Sequence, residues 1–280
     1  MALSYSDITS YAQSLVAIAD RAKEELSSSL ADAAFDATGY DFRRRARLAA
    51  DKALRKHLDP ARELGAQWYE YAADAAGVDV DPALMEEYGY EGWENRVDDI
   101  LDSYDNGDLD FDAFDRKLQE AIENEIRNAA REEVIGNLDR DASNDRRAGR
   151  SERAGYARVP VGETCAWCFM LASLGYYYRS YESAGGLDPD HYHLHCDCVV
   201  VPYSGPDAID GYDDYDKYLE MYERANEARK NGDYSDEMAQ RIQAAKERHE
   251  RDYAAGKVTQ KWTPYNETLM LMREQNGLRH

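Results

Sequence analysis

A chain of 280 residues with 43% apolar side chains can bury one large core or two modest ones, and it is not broadly disordered although 32% of its residues are charged. Its formal net charge of −22 argues against nucleic-acid binding over the whole surface and against attraction to anionic membranes. No run of about 18 apolar residues occurs, so no membrane span is expected. The opening Met1–Asp7 lacks the basic and apolar regions of a signal peptide, so synthesis and work in the cytoplasm, or in particles assembled there, are expected.

Residues 4 to about 35 read as an amphipathic helix, with Ile8, Tyr11, Leu15, Ile18, Ala22, Leu26 and Leu30 at spacings of three and four and Ser4 or Ser6 as its cap. Gly39 marks a break. A second helix is expected over 41–58, carrying the basic island Arg43, Arg44, Arg45, Arg47, Lys52, Arg55 and Lys56. Such a run is a solvated face or a docking surface for an acidic partner or DNA. Pro60, behind Asp59 as cap, then suits the first turn of a third helix with the stripe Leu64, Trp68, Tyr71, Ala72 and Ala75.

The acidic stretch 81–125 contains Asn106-Gly107, a turn signal. The surrounding aspartates fail the calcium-loop template, because Tyr104 and Ala113 fall where oxygen ligands are required. A helix capped by Asp110 or Asp112 follows, buried through Phe111, Phe114, Leu118, Ile122 and Ile126, to about Leu138. The polar, Arg-rich 139–155 reads as a linker or an exposed helix. Tyr156–Val161 reads as a strand, Cys168–Leu174 as a short helix ended by Gly175, Tyr176–Ser180 as a strand candidate and Val199–Tyr203 as the closing strand. From Tyr212 the chain is helical again, with stripes Tyr215, Leu219, Tyr222, Ala225 and Met238, Ile242, Ala245, His249. His249 reads as a helix-surface residue.

All four cysteines lie between Gly162 and Tyr203, as Cys165-x-x-Cys168 and Cys196-x-Cys198, with His191, His193 and His195 beside the second pair. A structural zinc ion explains this crowding: Zn²⁺ takes four tetrahedral ligands, and thiolates and imidazoles supply them best. Cys196 and Cys198 share one face if they open a strand. The set is Cys165, Cys168, Cys196 and Cys198, with His193 as substitute ligand or second-shell donor. Disulfides, free thiols and a redox Cys-x-x-Cys are the alternatives. The chain contains no phosphate-binding glycine loop, no G-x-S-x-G and no H-E-x-x-H, so no catalytic residue is assigned.

The run GETCAWCFMLASLG, then YRS, then HLHCDCVVV, resembles the tailed-phage head-morphogenesis family named for the Mu protein F, over residues 160–204. The branch in phages of Gram-positive hosts carries Cys-x-x-Cys followed by His-x-x-Cys-x-Cys, matched here by Cys165, Cys168, His193, Cys196 and Cys198. The resemblance implies a minor capsid protein that joins the procapsid near the portal vertex and contacts portal, scaffold or major capsid protein, in the virion head or in the host cytoplasm during assembly. Some relatives are labelled capsid maturation proteases, which makes that the alternative. A zinc-dependent nucleic-acid or toxin adaptor is a third, supported only by the basic islands at 43–56 and 140–158.

The expected fold is mainly α (α+β). Its divisions are a charged helical domain over 1–138, an Arg-rich linker over 139–155, a zinc-stapled β module over 156–205 and a helical C-terminal region over 206–280.

Overall fold

The computed structural model describes residues 2–36, 40–84, 92–147, 155–162, 166–175, 198–205, 208–256, 258 and 261–278. Among the described residues it is mainly helical with a two-stranded sheet. The elements are α1 (Tyr5–Asp36), α2 (Tyr40–Ala75), α3 (Trp93–Asp105), α4 (Phe111–Arg147), β1 (Tyr156–Pro160), α5 (Ala166–Ser173), β2 (Cys198–Pro202), α6 (Asp214–Asn231), α7 (Asp236–Ala254) and α8 (Pro264–Asn276). They group into two compact units, α1–α4 with β1 and β2 in one and α5–α8 in the other.

In the first unit α1, α2 and α4 pack along one another, and α3 lies against α4 and α2. The α1 stripe from Ile8 to Leu30 is buried as its spacing predicts. Ser4 caps the helix, its hydroxyl accepting from the Asp7 amide at 3.2 Å while the Asp7 carboxylate accepts from the Ser4 amide at 3.0 Å. Asp110 caps α4, accepting from the Ala113 amide at 2.8 Å. Asn106-Gly107 turns the chain as expected, with Gly107 at φ +80°.

Two helices were expected on either side of Pro60, but α2 is a single helix of 36 residues with Pro60 inside it. An internal proline removes one backbone bond and crowds the preceding turn, at about 3 kcal/mol. It is tolerated because Pro60 and Lys56, whose carbonyl it frees, both face solvent. The buried row Ala50, Leu54, Leu58, Ala61, Gly65, Trp68 and Ala72 meanwhile runs past it without a break. Gly65 is the closest approach of α2 to α4: a Cβ there would lie 2.5 Å from the Ala130 carbonyl oxygen. α4 also runs on to Arg147, so 139–147 is helical.

The ribbon is antiparallel, pairing Tyr156 with Pro202, Arg158 with Val200 and Pro160 with Cys198. All ten of its residues are buried. A two-stranded ribbon is marginal in water, and this one borrows its cover from α4, α2 and α1, all of which contact β2. The start of α1 is tied to the same region by a parallel bridge between Ser4 and Asp210, with the Tyr5 amide donating to the Asp210 carbonyl at 2.8 Å.

In the second unit α6 packs on α5 and α8. Its buried row is Tyr218, Met221, Ala225 and Ala228. This corrects the expected stripe, which placed Leu219 and Tyr222 inward. Tyrosines at 215, 218 and 222 leave the phase ambiguous, and the contact from α5 decides it, with the Phe169 and Tyr218 rings 4.4 Å apart. Ser235 caps α7, and Thr263 with Asn266 forms a capping box on α8.

Candidate functional site

Of the five expected metal ligands, Cys165, His193 and Cys196 lie outside the described residues, as do the strand candidate at 176–180 and His191 and His195. Cys168 lies on α5 and Cys198 opens β2, and both are buried, at 1% and 2% exposure. Buried thiols are the soft donors that zinc takes, so these two residues fit the ion's chemistry. Among the described residues no group of three or more His, Cys, Asp or Glu could hold a metal.

The helices hold the Cys198 strand through backbone oxygens. Arg131 of α4, 4% exposed, donates from Nε to the Cys198 carbonyl at 3.1 Å and from Nη1 to Asn128 at 2.9 Å. Trp68 of α2 donates from Nε1 to the Val200 carbonyl at 2.8 Å. The Tyr11 ring of α1 stacks on Trp68 at 4.7 Å. Burial pushes the Tyr11 hydroxyl far up, while the Arg131 charge pulls the other way. Two helices therefore hold two carbonyls of one strand, and the third, α1, stacks on one of the donors.

The far end of β2 is fixed separately. Tyr203 takes a left-handed conformation, φ +58°, which is uncommon for a non-glycine residue. Its amide donates to Gly155 at 2.9 Å. Its hydroxyl meets that of Tyr69 at 2.8 Å, and both tyrosines reach Asp141. Burial first, and then Asp141 and Tyr203, hold the Tyr69 hydroxyl in its protonated form.

Sequence reading placed Tyr11 and Trp68 correctly in the core but assigned them no further role, and it passed over Arg131. No local signal marks it, because Ala129-Ala130-Arg131-Glu132-Glu133-Val134-Ile135 reads as an ordinary charged turn of a helix.

The basic islands resolve differently. Arg43 pairs with Asp98, Asp102 and Asp105, and Arg47 with Asp98 and Glu94. Arg44 and Arg45 pair with Asp41, and Lys52 and Lys56 with Glu25. These bases thus pair with acids of α1, α2 and α3. In the second island Arg140 bonds the Asp81 carbonyl, and Arg158 is 1% exposed within the ribbon. His249 lies at an α7–α8 groove, edge-on to Trp262 at 5.6 Å.

A family model described as VG15 protein matches residues 2–225, from the start of α1 into α6. The chain belongs to the VG15 protein family. Two relatives come from mycobacteriophages. The Gene 15 protein of Mycobacterium phage D29 is 33% identical over 114 residues, 31% of this chain and 39% of that protein. The Gene 15 protein of Mycobacterium phage L5 is 32% identical over 121 residues, with the same shares. The chain thus spans well under half the length of the curated relatives it matches. No solved structure matches. The VG15 match contains the whole first unit together with α5, hence every residue expected to bind zinc. Among the described residues no helix is long and apolar enough to cross a membrane.

Proposed function

We propose that this VG15-family chain is a minor capsid protein of head morphogenesis, related to the Mu F-like proteins, and that it acts in procapsid assembly near the portal. The observation that carries the reading is a cysteine-bearing strand held by three helices in a phage-family chain, together with the motif from Gly162 to Val201. Its partners are the portal protein and the major capsid or scaffold protein. Zinc held by Cys165, Cys168, Cys196 and Cys198, or with His193 in place of one thiolate, serves as a structural cross-link. When bound it contributes on the order of 10 kcal/mol to the fold that carries it.

Coexpression with the portal, scaffold and major capsid proteins of the same phage tests the function. The chain is expected in purified procapsids, and its absence from them would sink the reading. The same particles separate the protease alternative. Trimming of the major capsid precursor that requires Cys196 or a histidine of this chain, and that survives chelation, would favour an enzyme. Elemental analysis of tag-free protein tests the ion, with one zinc per chain expected and none overturning it.

A further inference from the structure

Within the second unit, a groove of about 460 Å³ lies between the end of α7 and the start of α8. That is the size range of small-molecule sites. Lys246, His249, Glu250 and Tyr253 line it from α7, at spacings that place them on one helix face. Lys261, Trp262 and Glu267 line it from the segment that leads into α8 and from its first turn. Packing does not explain this face. α7 buries only Met238 and Ile242, and none of residues 245–254 is buried.

Trp262 is half-buried and its indole is fixed. Nε1 donates to Glu267 at 3.2 Å, and the His249 ring meets the indole edge-on with centroids 5.6 Å apart. Tyr253, 39% exposed, brings another ring to the groove. Aromatic side chains held at a half-wet surface are platforms on which a planar ligand stacks.

The charges beside these rings are open. Lys246, Lys261 and Glu250 form no ion pair among the described residues, in contrast to the bases at 43–56. The Glu267 carboxylate is engaged by the indole and lies in the first turn of α8, whose positive dipole end offsets it. Two ammonium groups against one open carboxylate leave a local positive excess in a chain of net charge −22. Exposed lysines alone are an ordinary solvated surface. Beside a fixed indole in a cavity, they match a ligand that carries a ring and an anion together. A cationic ligand could use the rings but would meet both lysines.

We propose that this groove binds a nucleotide unit: the base stacks on Trp262 and Tyr253, the phosphate pairs with Lys246 and Lys261, and the Glu250 carboxylate accepts from a sugar hydroxyl or a base amino group. The site lies beyond residue 225, where the VG15 match ends, and depends on neither the capsid nor the zinc reading. A free nucleotide and the end of a single strand present the same chemistry.

The test titrates the full chain, as wild type, W262A and K246M/K261M, with AMP, adenosine, inorganic phosphate and single-stranded oligoadenylate. Calorimetry at low salt reads the affinities, and thermal melting checks each fold. Wild type is expected to bind AMP at least about tenfold more tightly than adenosine or phosphate. W262A is expected to weaken AMP by about 5- to 150-fold, the usual range for losing a stacking platform. K246M/K261M is expected to weaken AMP by about tenfold or more, to leave adenosine within about threefold and to melt with wild type.

No AMP binding by wild type at about 1 mM overturns the proposal. So does adenosine or phosphate binding as tightly as AMP, and so does wild-type AMP affinity in K246M/K261M. Should W262A fail to fold, K246M/K261M decides. AMP bound without oligoadenylate assigns the groove to free nucleotides. Oligoadenylate bound at least as tightly as AMP assigns it to strand ends as well, and the base–phosphate chemistry stands in both cases.

Discussion

Glu132 is partly buried on α4, and burial pushes its carboxyl up to about 7, with Glu125 and Glu133 adding to the shift. In the unfolded chain the same group ionises near its usual 4.5. Between these values the folded chain binds the extra proton, so the group's contribution to stability falls as pH rises through the window and stays unfavourable above it. E132Q removes the titration. Its melting temperature is expected to exceed wild type at pH 8, with the difference shrinking toward pH 5. A constant difference across that range would show that charge is not the cause. Its neighbour Arg131 tests the strand seat. R131M leaves the buried Cys198 carbonyl without its charged donor and is expected to lose about 1.5–3 kcal/mol in urea unfolding.

Among the elements, α2 shows what periodicity can and cannot report. Of the stripe expected after Pro60, Trp68 and Ala72 are buried, whereas Tyr71 is exposed and Leu64 and Ala75 are half-buried; before Pro60 only the basic face was read. That the segments on either side of Pro60 form one helix was not readable, because proline is a local stop signal, whereas the continuous contact with α1 and α4 that overrides it is a tertiary fact. The inward turn of Tyr69 and the outward turn of Tyr71 have the same origin, since Tyr69 is claimed by Asp141 and Tyr203 far along the chain. Gly65 gives the sharpest test of the α2–α4 crossing. G65A sets a methyl group against backbone that cannot move aside, and about 1–3 kcal/mol of destabilisation is expected by thermal or chemical unfolding. Unchanged stability would mean that the helices are not so close.

At the scale of the whole molecule, the pairing of the 43–56 bases with acids of α1, α2 and α3 decides what the surface offers. A duplex DNA is expected to stay unshifted in a gel assay at physiological salt, and a salt-sensitive shift would contradict this. The ribbon strands and the helical class were legible, because each is written in a short window of residue types. Arg158 was not: in a linear reading it belongs to a basic run, and only strand pairing turns it inward. Arg131 was hidden for a similar reason, since its acceptor lies 67 residues downstream.

That separation bears on how the chain is made. Trp68 and Arg131 emerge from the ribosome long before the strand whose carbonyls they hold, 132 residues downstream in the case of Trp68. Until β2 follows, the nascent helices carry an indole and a guanidinium facing an empty seat. A polypeptide stalled before Cys198 is therefore a natural client for chaperones and proteases. Once Asp210 has been made, the residues of both the ribbon and the bridge to Ser4 are present in the chain.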